Sequence, residues 1–173
     1  MAIVEVLCRE IREPEIKKIN ASSNDAPTGG GARDLRFTLD YAPCSDRFFP
    51  SKITYERGKP YRIGCFEHCY KDGTRRCENL KYAFRPTDSR PNEVRIAQIN
   101  KADLFHDVPE IDSGDGMLFI AFIRNAEGIP QVQYLTERQI EDPSSNSVIA
   151  SAMREAIDSR RGDNAVTFSV KLG

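Results

Sequence analysis

The sequence predicts a mainly β (α+β) fold, a barrel or sandwich of about eight short strands with one well-formed helix. Three features lead there. Several segments alternate apolar and polar residues with period two, residues 117–123 form a continuous apolar run of strand length, and a single stretch near the C-terminus has helical periodicity.

Each element has its own signal. Val4, Val6 and Cys8 alternate with Glu5, Leu7 and Arg9, which predicts a strand with one mostly buried face. Residues 20–34 consist largely of Asn, Asp, Ser, Thr, Pro and three consecutive glycines, so this stretch is expected as a long surface loop. Residues 35–39 resume period two. Residues 45–50 read as a capped turn of helix stopped by Pro50. Strands are expected at 61–66, 81–84 and 94–99, the last two separated by a polar loop at 85–92 that contains Pro86 and Pro91. The apolar run 117–123 predicts a central strand, and a turn at 125–128 followed by residues 132–135 makes it a hairpin. Val148, Ile149, Ala152, Met153, Ala156 and Ile157 recur at spacings of three and four, with serines at 145 and 147 available to cap the helix. Val166, Phe168, Val170 and Leu172 close the chain as an amphipathic strand. No internal repeat is present, and residues 1–173 are expected to form a single domain.

Composition narrows the class. Hydrophobic residues make up 39% and charged residues 29%, as in ordinary soluble domains. No apolar stretch approaches the ~18 residues of a membrane helix, and the first six residues are too polar for a secretion signal. A cytoplasmic location is therefore expected. Five cysteines, an odd number, are expected to be reduced thiols, buried rather than ligating. The net charge of −1 conceals a partition: residues 50–105 hold 12 Lys/Arg against 7 Asp/Glu, and residues 106–173 hold 6 against 11. Such asymmetry suits a one-sided electrostatic footprint, although the fold can equally intermix these charges in space.

Catalytic signals are sparse. The two histidines, His68 and His106, lie in no nucleophile motif, and no phosphate loop or dinucleotide fingerprint is present. The acidic segment 112–116 has glycines and no nearby lysine, and reads as a loop capping the following strand. Cys65, His68, Cys69 and Cys77 have partial zinc-ligand spacing. On a strand, however, Cys65 and Cys69 share one face while His68 takes the other, so no metal or other cofactor is expected. The informative segments are polar: the glycine-rich loop, and a stretch from Lys71 to Arg95 carrying Lys71, Arg75, Arg76, Lys81, Arg85, Arg90 and Arg95. Arginine suits both guanine and phosphate contacts.

These segments resemble the N-terminal effector-binding domain of EcoRII-type restriction endonucleases, a DNA-binding pseudobarrel also found in plant transcription factors. The resemblance rests on Lys17-Lys18-Ile19, Ala21 and Asn24-Asp25-Ala26-Pro27-Thr28-Gly29-Gly30. It continues through Phe48-Phe49-Pro50-Ser51, Arg90-Pro91-Asn92-Glu93-Val94-Arg95-Ile96, and the apolar strand 117–122 with its hairpin. The matches keep the family's order and span about residues 15–135. The resemblance implies a pseudobarrel of about seven to eight strands with one or two flanking helices, whose two arms embrace duplex DNA in the major groove. It implies Lys18, Asn24, Asp25 and Thr28 in the first arm, and Arg90, Asn92, Glu93 and Arg95 in the second. Where the family has His-Gln after the paired glycines this chain has Gly31-Ala32, and Arg33 and Arg36 are candidates to compensate. Val94 also stands where the family has lysine, so the relatives' target sequence does not transfer.

The expectation is a non-catalytic, sequence-specific binder of double-stranded DNA. It would be the recognition domain of a restriction endonuclease or a stand-alone relative, monomeric in isolation, with a nuclease domain or subunit as a further partner. Glu93 would accept from a cytosine amino group, Arg90 or Arg95 would pair with guanine, and Asn24 would address adenine or phosphate. The rival readings are a small metal-dependent nuclease, and a protein-interaction module built on the acidic C-terminal third.

Overall fold

Among the described residues eight strands pair into one sheet. The structure, a computed structural model, describes residues 3–20, 34–38, 48–49, 62–84, 93–126, 128–142, 144, 150, 154 and 167–171. Among these the strands are β1 (Ile3–Ile11), β2 (Leu35–Thr38), β3 (Arg62–Cys69), β4 (Arg75–Phe84), β5 (Glu93–Ala97), β6 (Leu118–Asn125), β7 (Gln131–Thr136) and β8 (Thr167–Lys171). Their order across the sheet is β2-β5-β4-β3-β7-β6-β1-β8. All neighbours are antiparallel except β3 and β7, which run parallel and pair only at Glu67↔Gln131 and His68↔Val132. The mainly β, curled half-barrel matches the predicted class.

The curl creates an inside and an outside; the inside is packed throughout, and the outside is covered over β1 and β6. Leu7, Leu35, Phe66, Leu80, Tyr82, Ile96, Leu118, Ile120 and Phe122 belong to the main core. Phe49 lies at its centre, its ring 5.1 Å from that of Tyr82, 5.3 Å from Phe66 and 5.5 Å from Phe122. A second cluster lies on the opposite face of β1 and β6, where Val6, Cys8, Phe119, Ala121 and Ile123 meet Ile140 and Ala150. Burial of β6 on both faces is the physical reason for its unbroken apolar run.

Three short helices are described end to end: α1 (Glu13–Asn20), α2 (Asp103–His106) and α3 (Glu137–Glu141). Sequence periodicity had assigned none of them. α1 offers only Ile16 and Ile19 to the core, but Glu13 and Glu15 open it and Lys17 and Lys18 close it, in accord with the helix dipole. α3 starts at a capping box. The Gln139 amide donates to Thr136 Oγ1 (3.2 Å), and the Thr136 amide donates back to Gln139 Oε1 (2.9 Å). The helical turn expected at 45–50 and the helix expected at 148–157 fall mostly outside the described residues.

Two expectations are corrected. The stretch from Lys71 to Arg95 is not one polar loop: Arg75 begins β4, joined to β3 by a tight turn in which Gly73 adopts φ +87°. Cys65, Cys69 and Cys77 are exposed rather than buried, whereas Cys8 is buried. The strand argument about faces does hold, since Phe66 and His68 point inward while Cys65 and Cys69 face solvent.

Curling brings the edge strand β2 back towards β1, and a side chain closes the gap. The Arg9 guanidinium on β1 donates from Nε to the backbone carbonyl of Arg36 on β2. It also donates to the carbonyl of Glu10 (2.6 Å) and to Glu15 Oε1 in α1 (3.0 Å). A buried arginine thus performs the work that a backbone ladder does in a closed barrel.

Candidate nucleic-acid interface

The connections at 21–33 and 85–92 are held by neighbouring strands. The first runs from α1 to β2 and the second from β4 to β5. β2 and β5 pair antiparallel from Leu35↔Ile96 to Thr38↔Glu93. The first arm therefore ends, and the second ends, at opposite ends of the same four-residue ladder, roughly 10 Å apart along the strand.

Alternation on this ladder divides apolar from ionic residues. Leu35, Val94 and Ile96 enter the main core, while Arg36 and Arg95 are direct cross-strand partners on the other face. Arg95 is buried, with Nε bonded to the Glu93 carboxylate and Nη1 3.8 Å from Asp34 Oδ2. Glu93 itself is only 1% exposed. A direct hydrogen bond from Glu93 to a cytosine amino group therefore requires this ion pair to open. Through Arg95, Glu93 at the C-terminal end of one connection is instead linked to Asp34 at the C-terminal end of the other.

Lys18 and Arg36 complete the cluster. Burial, and then the positive charge of Arg36, hold the Lys18 amine below the ordinary lysine value. The Arg36 Nε is buried without a hydrogen-bond partner among the described residues, an arrangement that carries a desolvation cost. Two crowded cations, one with an unsatisfied donor, suit an anionic oxygen. Of the residues implied by the resemblance, Lys18, Arg36, Glu93 and Arg95 come together here. Asn24, Asp25, Thr28, Arg33, Arg90 and Asn92 lie outside the described residues.

Arg9, Glu15 and Asp34 belong to this cluster and were not singled out from the sequence. Their only local signal is the charged pair Arg9-Glu10 inside a strand that, apart from Glu5, is otherwise apolar.

His68 forms a separate ionic site where β3 and β7 diverge. Its Nδ1 lies 3.0 Å from the Val132 carbonyl oxygen, and its Nε2 lies 2.7 Å from Asp107 Oδ2. Asp107 also accepts from the Lys71 amide. Tyr134 donates to the Leu104 carbonyl (2.8 Å), and Glu78 accepts from Tyr70 (2.7 Å) and from the Leu104 amide (2.6 Å) at the start of α2. Burial, and then Glu78, push the Tyr70 hydroxyl above its usual range. An open cleft of about 660 Å³ adjoins this network. Both imidazole nitrogens are already engaged, so the geometry is that of a structural histidine.

Among the described residues no group of three or more His, Cys, Asp or Glu is placed to hold a metal ion, and no helix is long and apolar enough to cross a membrane. No family model matches the sequence, and no curated protein matches it.

Proposed function

We propose that the protein is a double-stranded DNA-binding pseudobarrel that grips the duplex between its two arms. More particularly, it serves as the recognition (effector-binding) domain of a restriction endonuclease or as a stand-alone relative. The observation that carries this reading is the Lys18–Arg36 pair at the foot of the arms, where the buried Arg36 Nε has no hydrogen-bond partner among the described residues. A phosphate oxygen there would relieve both the like-charge crowding and the missing hydrogen bond. The paired strands β2 and β5 supply the rigid base from which both arms project.

Burial of Arg95 divides the roles within the second arm. Glu93 and Arg95 position the arm through their ion pair, which leaves Arg90 as the better candidate for guanine and Asn92 for an adjacent base or phosphate. Asn24, Asp25 and Thr28, with Arg33, act from the first arm.

The test is a salt titration of binding to random and selected duplexes. Affinity should fall steeply with salt as counterions are released, and Arg36→Ala should lower the slope by about 1 while weakening all sequences alike. Arg90→Ala should instead cost on the order of 1–3 kcal/mol and relax the preference at one base pair. Absence of retention on any duplex at low salt would leave the protein-interaction reading. Cleavage of plasmid with magnesium would favour the nuclease reading.

A further inference from the structure

The outer face of the β3–β4 hairpin carries three exposed cysteines. In the ladder Cys65 lies opposite Asn79, Glu67 opposite Cys77, and Cys69 opposite Arg75. All six point away from the main core, and Cys77 stands diagonally between Cys65 and Cys69. The right-handed twist of a hairpin makes its two diagonals unequal. Here the Cys69 thiol is directed away, at the carbonyl of Tyr70 (4.0 Å), which leaves Cys65 as the diagonal partner of Cys77 on this face. Burial, and then the hydrogen bond to Cys77, push the Cys65 thiol above its usual value.

We propose that Cys65 and Cys77 form a reversible modification site, a surface dithiol that a hydroperoxide closes into a cross-strand disulfide. The Cys77 thiolate attacks the peroxide, the O–O bond breaks, one water leaves, and a sulfenic acid remains on Cys77. The Cys65 sulfur then attacks that sulfur, with its proton transferred to the departing oxygen. The S–S bond forms, the S–O bond breaks, and a second water leaves. Two thiols lose two electrons and two protons, and one peroxide is reduced to two waters. The loop this closes is short and already laddered, so the bridge adds little to stability. Its exposure leaves it open to reduction by a thiol.

Treatment of the fully reduced protein with one equivalent of hydrogen peroxide, followed by thiol counting and peptide mass mapping, tests this. The expected result is loss of two of the five free thiols, a mass lower by two hydrogens, one cross-linked peptide joining Cys65 to Cys77, and full recovery with a reducing dithiol. Cys69→Ser should behave as the parent does, while Cys65→Ser and Cys77→Ser should each abolish the bridge and leave unchanged circular dichroism. Oxygen adducts on separate cysteines, dimers linked between molecules, or a Cys69–Cys77 bridge would each overturn the assignment.

Discussion

Replacing Arg9 with methionine keeps an apolar stem in the seam between β1 and β2 and removes the guanidinium alone. Three hydrogen bonds go with it, to the carbonyls of Arg36 and Glu10 and to the Glu15 carboxylate. The side chains of Arg9 and Glu15 are only 7% and 12% exposed, so water does not readily take over those roles. Removing one member of a buried pair typically costs 3–5 kcal/mol. Glu15 keeps one stabilising contact, from the Arg12 amide at 3.0 Å, so the lower end applies, about 3 kcal/mol. In urea, with a slope of about 2 kcal/mol/M, the unfolding midpoint should fall by roughly 1.5 M. Under the proposed function, loss of this anchor on the Arg36 backbone should lower DNA affinity as well. A cost below about 1 kcal/mol at unchanged slope would refute the idea that this side chain closes the barrel.

Three further outcomes follow from the packing and the charges. Phe122→Ala removes a ring that contacts Phe48, Phe49 and Phe66, and should cost about 3–5 kcal/mol by chemical denaturation. Thr136→Ala removes the capping box of α3 and should cost about 1 kcal/mol, read as a lower thermal midpoint. Lys18 has its pKa lowered by burial and then by Arg36, so the free protein loses this proton at a lower pH than an ordinary lysine does. Folding stability from this group accordingly rises as pH climbs from the folded value towards the unfolded one. If Lys18 meets phosphate as proposed, it must be protonated to do so. DNA affinity should then weaken over the same alkaline range, and Lys18→Arg should abolish that dependence in binding titrations at fixed salt.

Strands with simple environments were legible in the sequence, and those with mixed environments were not. β6 is covered on both sides, and its apolar run announces this directly. β1 and β7 were found for the same kind of reason. β4 begins with Arg75, Arg76, Cys77, Glu78 and Asn79, which resemble a loop because the structure uses them as polar parts. Arg76 stacks on Tyr70 at 4.1 Å, and Glu78 caps α2. α1 escaped because two isoleucines make too narrow a stripe to establish a period. The cysteines were assigned to the interior on residue type, but strand alternation places three of them on the solvent face. At the candidate interface, the loops and several of their residues could be marked from sequence. The Arg36–Arg95 pairing and the Arg9 seam could not, since each joins residues dozens of positions apart that share no local signature.

The parallel contact between β3 and β7 has a mechanical consequence. Only two residue pairs join one antiparallel quartet, β2-β5-β4-β3, to the other, β7-β6-β1-β8. On the far side the quartets meet through the Arg9 guanidinium. The backbone ladder is thus thin between the quartets. What holds them together is the shared core, in which Phe49 packs on Phe66 and Tyr82 from one and Phe122 from the other. Slow breathing should concentrate at the two thin lines rather than within either ladder. The quartet that bears β2, β4 and β5 carries three of the four ends to which the arms attach, and α1, packed beside the Arg9 line, carries the fourth. Movement along those lines changes the span between the ends of the two connections.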